Sequence, residues 1–188
     1  MSGPFDPYYD YGPLRVLSKP LALCGYYGSG VPELSFALSA QTGLPLHDIE
    51  RMMEHKIGQR LSRFEESHSA VERQLIARVL SQKPYGVIML RPQSLWENDT
   101  LKRIQDNATL VYIQRDIFVL YSNLLDMRMN KDLNRYCPLP NELNIHMVQQ
   151  DLNHYKTGYM KAEHTIRAMN LHPTRLCETV FNVIDANA

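Results

Sequence analysis

The sequence has no surplus of charge in either direction. Its 188 residues carry 20 Lys plus Arg against 20 Asp plus Glu, a formal net charge of +0. It therefore lacks the basic surface with which a protein holds nucleic acid or an anionic membrane as its main partner. Cysteine is also scarce. Cys24, Cys137 and Cys177 are odd in number and far apart, so neither a disulfide framework nor a zinc cluster is indicated. The seven histidines are scattered without ligand spacing, and no metal site is expected. No apolar run approaches the roughly 20 residues of a membrane span, and the N-terminal stretch lacks the charged-then-apolar order of a secretion signal. A reducing cytoplasm is the expected compartment.

What remains is an ordinary folded composition, 44% apolar and 21% charged, with a length that suits one domain. The chain is organised around residues 20–44. A short apolar run, Leu21-Ala22-Leu23-Cys24, stops at Gly25, and Gly28 and Gly30 follow within six residues. Pro32-Glu33 then opens a segment with helical periodicity. Strand, glycine turn and helix in that order place backbone N–H groups and a helix N-terminus around a phosphate. The phosphate-loop pattern GxxxxGK followed by Ser or Thr fits Gly25 to Pro32 at both glycines. It fails at its last two positions, where Val31 and Pro32 stand for Lys and Ser or Thr. A dinucleotide turn fits less well, because Glu33 falls where a third glycine is wanted.

Residues 1–19 mix Pro, Gly and Asp with Phe5, Tyr8, Tyr9 and Tyr11. They read as an irregular arm that covers part of the domain, joins a homodimer or trails as a disordered tail. Beyond the glycine turn, a helix runs from Pro32 to its stop at Gly43. A brief extended piece leads to Asp48, which caps a helix through Glu54. Ser62 to Glu66 reads as a helical turn, and Ser69-Ala70-Val71-Glu72 as a capping box followed by a helix with Leu75, Ile76, Val79 and Leu80 on one face. Gly86 to Leu90 and Leu110 to Ile113 read as buried strands. A short helix over Glu97 to Gln105 lies between them, and a second begins at Asp116. Residues 128–141 form a polar, proline-bounded loop expected to be mobile. A long helix over Glu142 to Glu163, a strand over Thr165 to Met169 and a helix over Pro173 to Ile184 complete the chain. This alternation predicts a parallel α/β sheet.

The order of elements and several local motifs resemble the shikimate kinases, within the P-loop nucleoside-kinase-like group. The resemblance covers residues 20–186. It implies a three-layer α/β/α domain with a five-stranded parallel sheet of order 2-3-1-4-5. The stretch LALCGYYGSG looks like the family's strand and phosphate loop, with Gly25, Gly28, Ser29 and Gly30 as the loop residues. TGLPLHDIE is similar to its acidic segment, Asp48 matching the first acid as a catalytic candidate and Glu50 standing where a second acid is usual. Val71-Glu72-Arg73 falls where the family carries a substrate-binding arginine, and Arg135 to Leu139 resembles its lid, for which Arg128 and Arg135 are the candidate cations. Arg91-Pro92-Gln93 replaces the glycines that follow the third strand, so Arg91 is a candidate for the substrate pocket.

Residue by residue, plainer roles exist beside these. Asp48 is also a good N-cap, Glu50 and Arg73 could form a structural ion pair, and Arg128 and Arg135 suit a solvated surface. For the chemistry, Val31 removes the loop cation. Pro32 removes both the magnesium-holding hydroxyl and a backbone N–H, and Glu33 places negative charge at the helix start. Lys56, Arg60, Arg115, Arg128 and Arg135 are the candidates to replace the cation in space. Two functions follow. The first is a degenerate kinase kept as a binding or regulatory module for a small anionic or hydroxylated metabolite, with no cofactor required. The alternative is an active ATP-dependent small-molecule kinase with a rearranged nucleotide site, for which ATP and Mg²⁺ would be needed.

Overall fold

The computed structural model describes residues 16–61, 68–129, 143–169 and 172–185. The central strand β1 (Leu21–Cys24) is buried at all four positions. It pairs in parallel with β3 (Val87–Met89) on one side and β4 (Thr109–Gln114) on the other. Strand β2 (Leu46–Asp48) adds outside β3, and β5 (His164–Arg167) outside β4. The five strands therefore run in the order β2-β3-β1-β4-β5, as the sequence reading expects.

Side chains alternate across each strand, and here both faces are apolar. Ala22, Cys24, Ile88, Leu110 and Tyr112 point into one core, while Leu21, Leu23, Val87, Met89, Val111 and Ile113 point into the other. A sheet apolar on both sides needs a helical layer on each. Helices α1 (Val31–Thr42) and α7 (Pro173–Asp185) cover the second face through Leu34, Leu38, Leu176 and Val180. The first is covered by α2 (Ile49–Ile57), α3 (Ser69–Ser81), α4 (Asn98–Asn107), α5 (Ile117–Met129) and α6 (Ile145–Tyr159). Because β1 sits between strands reached by opposite turns of the chain, a crevice opens at its carboxyl end, where ligands of open α/β sheets bind. The glycine turn lies at that end.

The helix signals fall mostly where the sequence puts them. Gly43 closes α1 in the left-handed region at φ 68° with its N–H on Ser39 O, and the Asp48 carboxylate accepts from Arg51 N at 2.9 Å. Three readings need correction. The capping box at Ser69 does not form. His68 is the N-cap, with no side-chain bond to the helix start, and Glu72 turns inward to a buried guanidinium instead of back to the helix start. The long helix ends at Tyr159, four residues short of Glu163, because Gly158 packs against Leu95 and Tyr159 donates to Pro92 O at 2.7 Å. That anchor turns the chain toward β5. At the other end, this helix starts at Ile145, capped by Asn144 through Met147 N.

The turn at Ser62 to Glu66, the arm as far as residue 15 and all but the first two residues of the 128–141 loop lie outside the described residues. Among the described residues no helix is long and apolar enough to cross a membrane.

Candidate functional site

The loop between β1 and α1 is built from glycines at positions that exclude side chains. Gly28 and Gly30 take φ of 76° and 88°, which L-residues rarely adopt. A Cβ at Gly28 would also stand 3.2 Å from the Leu120 carbonyl. Two side chains hold the loop from behind. Asn123 Nδ2 donates to Gly28 O at 2.8 Å, and Arg115 Nε donates to Ser29 O at 2.7 Å. Of the cations proposed to replace the missing lysine, Arg115 is thus placed against the loop, but on its carbonyl side. Burial pulls Arg115 below the usual guanidinium range, and Glu33 partly offsets this.

Two tyrosines of the loop turn into the core. Tyr26 and Tyr27 are buried at 2% and 5% exposure. Tyr26 OH donates to Asp151 Oδ2 on α6 at 2.6 Å, and Tyr27 OH to Gln93 Oε1 at 3.3 Å. Burial, with Glu50 adding to it, pushes the Tyr27 phenol well up. The amide of Ser29 is turned onto Tyr26 O at 3.0 Å, so it is not aimed at a ligand. Ser29 Oγ is buried without a hydrogen-bond partner. Val31 is 4% exposed and packs into the apolar core with Leu21, Leu23 and Leu34. A narrow cavity of about 40 Å³ is lined by the loop with Asp48, Glu50, Arg91 and Met127, and a hollow of about 270 Å³ opens on the other side of Gly28 and Gly30, beside Glu33, Arg115 and Asn123.

On the acceptor side, Asp48, Glu50 and Arg91 line this same narrow cavity beside the glycine turn. Arg73 does not join them. It is half-exposed, pairs with Glu97 at 3.1 Å and borders a different hollow with Asp99 and Arg103. Adjacent helix positions point about 100° apart, and on α3 it is Glu72 that faces inward.

There Glu72 Oε2 lies 3.3 Å from Arg91 Nη1, with both side chains nearly buried. Ser94 Oγ donates to Glu72 Oε1 and accepts from Arg91 N. Arg91 Nη1 also contacts Met53 Sδ at 3.5 Å. This network divides the narrow cavity from a hollow of about 380 Å³ between α3 and α4, edged by Trp96.

Arg128 is exposed at the end of α5, while Arg135 lies outside the described residues. Lys56 is held by Gln74 at 2.9 Å, and Arg60 is exposed.

Glu72, Ser94 and Trp96 were not singled out by sequence reasoning as site residues, and nor were the two loop tyrosines. A carboxylate among the apolar positions of α3, three residues before Leu75, was the available signal for Glu72. The bulk of Tyr26-Tyr27 between loop glycines was the signal for a closed loop.

No protein-family description matches the chain, and no curated protein does. Solved structures do. A shikimate kinase from Acinetobacter baumannii, in complex with shikimate, is 18% identical with a TM-score of 0.76, over 90% of this chain and 94% of its own. One from Bacteroides thetaiotaomicron is 15% identical with a TM-score of 0.72, over 89% and 98%. A gluconokinase from Sinorhizobium meliloti is 12% identical with a TM-score of 0.54, over 89% and 98%. The fold is shikimate-kinase-like.

Proposed function

We propose that this kinase-fold protein works as a small-molecule binding or regulatory module and has given up ordinary ATP-dependent phosphoryl transfer. The observation that carries the reading is the position of Val31. The residue standing where a loop lysine is wanted is packed into the core, not held over the loop. Phosphoryl transfer on this fold is positioning plus charge stabilisation by loop amides, a cation and Mg²⁺. Loss of one charged hydrogen bond removes roughly 1.5–3 kcal/mol, and loss of one transition-state donor about 10²–10³ in rate.

The residues present do not fit Mg-ATP. Tyr26 and Tyr27 tie the loop into the core, and Pro32 offers neither hydroxyl nor N–H. Among the loop-side cations, Arg115 is bonded to Ser29 O and Arg91 to Glu72. Asp48, the acid expected to act in catalysis, caps α2 through Arg51 N. The hollow of about 380 Å³ on the acceptor side, bordered by Glu72, Arg91 and Trp96, is what supports a retained binding role, and a small hydroxylated metabolite is the ligand class it suits.

Calorimetric titration with Mg-ATP and Mg-ADP, paired with a phosphate-transfer assay on shikimate, tests this. We expect no saturable nucleotide heat in the range of a working kinase and no product. Magnesium-dependent transfer by the unaltered chain at about 1–100 per second would overturn the reading and establish the active-kinase alternative.

A further inference from the structure

We propose that the hollow between α3 and α4 binds an uncharged polyhydroxylated ring, and discriminates against the same ring bearing a carboxylate. The inference rests on the acceptor side being a binding module, and names what it takes.

The hollow is lined by two carboxylates, Glu72 and Glu97, and one guanidinium, Arg91. That guanidinium already has its counter-ion, Glu72, at 3.3 Å in a nearly water-free setting. Glu97 is engaged from its other side by Arg73 at 3.1 Å. A ligand carboxylate entering here finds both neighbouring guanidiniums already paired, Arg91 with Glu72 and Arg73 with Glu97, and burying a charge without a free partner is costly.

A hydroxyl meets the opposite situation, because it both donates and accepts. Acceptors are supplied by the Glu72 and Glu97 carboxylates. Donors are supplied by the Ser69 hydroxyl and by the Gln93 amide nitrogen, whose own oxygen is taken by Tyr27 OH. The remaining wall is Trp96, 53% exposed. Its indole is steadied by His154 at 4.1 Å and Tyr155 at 6.0 Å between ring centroids. A flat, fixed apolar face beside paired donors and acceptors suits the C–H face of a saturated or partly saturated ring. The hollow's volume of about 380 Å³ falls within the small-molecule range of roughly 300–1,000 Å³.

Trp96 is the single tryptophan of the chain, so its fluorescence reports on this hollow directly. The test uses the full chain without nucleotide, titrated with shikimate and, separately, with methyl shikimate. The two share the ring and hydroxyls and differ in charge.

We expect methyl shikimate to shift Trp96 emission saturably and to bind at least about tenfold more tightly than shikimate, the scale of one unfavourable charge contact. Glu72→Gln keeps the shape while leaving Arg91 without its counter-ion, and should reverse the preference toward shikimate. Equal or tighter binding of shikimate by the unaltered chain overturns the inference, as does the absence of any saturable change with either probe. The two-probe comparison on the unaltered chain decides the matter even if Glu72→Gln fails to fold. Phosphorylation of either probe from Mg-ATP would instead overturn the reading of the loop and leave the ligand class standing.

Discussion

Arg91→Met should be among the more damaging single changes outside the apolar core, and a second change should rescue it. Arg91 and Glu72 lie 3.3 Å apart at 5% and 10% side-chain exposure. At an effective dielectric of 20, two unit charges at that separation attract by about 5 kcal/mol. Most of that attraction offsets the cost of taking both groups out of water, so the pair as a whole contributes little. Removing one partner leaves the other buried and uncompensated, which costs about 3–5 kcal/mol. Arg91→Met should therefore lower stability by that amount. For a chain of this size, each kcal/mol moves the melting temperature by about 2–4 °C, giving a fall on the order of 6–20 °C. Adding Glu72→Leu removes the stranded carboxylate, and Ser94→Ala removes the hydroxyl that would lose its acceptor, leaving the backbone N–H of position 91, which that hydroxyl had accepted from, as the residual loss. The triple variant should come back to within about 1–2 kcal/mol of the parent. Urea unfolding followed by circular dichroism measures all three. The reasoning fails if Arg91→Met costs less than about 1 kcal/mol, or if the losses simply add, since coupled groups must not behave additively.

Three further outcomes are expected. Val31→Lys with Pro32→Ser should destabilise the fold by about 1–3 kcal/mol through loss of the packed valine, while tightening Mg-ADP binding by roughly ten- to a hundredfold through the new charged contact; calorimetry showing no gain would argue against the loop as the limiting element. Burial holds His47 below its ordinary value of 6.5, so the unfolded chain binds that proton more readily. Stability should be flat above that value and fall as pH drops from it toward the lower folded pKa. His47→Gln should flatten the fall between about pH 7 and 5, and unchanged urea midpoints would refute the assignment. Tyr26→Phe deletes the 2.6 Å bond to Asp151 and should cost about 1.5–3 kcal/mol, the range for a bond to a charged acceptor; thermal melts indistinguishable from the parent would show that the bond contributes nothing.

The sheet was legible because its signals are local. Leu21 to Cys24 stops at a glycine, and Val87 to Met89 and Leu110 to Ile113 are continuous apolar runs, as strands buried on both faces must be. Gly43 and Asp48 announced helix ends for reasons confined to one turn of backbone. The candidate site was legible only in outline. Asp48, Glu50 and Arg91 are brought together by neighbouring strand ends, which topology predicts. The choice between Glu72 and Arg73 depended on the rotation of α3, and that rotation is set by packing of Leu75, Ile76 and Val79 against other elements. The capping box misled for the same reason. A glutamate that could have bonded its own helix start found a buried arginine from 19 residues away, and no pattern within α3 encodes that partner. Likewise, the tyrosines of the glycine turn have alternative fates in sequence, and only Asp151 and Gln93 make them inward.

On the proposed reading of the loop, its packing also makes a route to nucleotide binding steep. Val31 anchors the core beneath α1, and Tyr26 ties the turn to α6, so each single step toward a phosphate cradle passes through a less stable ancestor or descendant. Natural proteins sit only a little above the stability they need, and selection against unfolding alone would then remove such intermediates, whatever the benefit of the finished site. On that reading the loop would act as an evolutionary ratchet: neutral drift could decorate it without readily opening it.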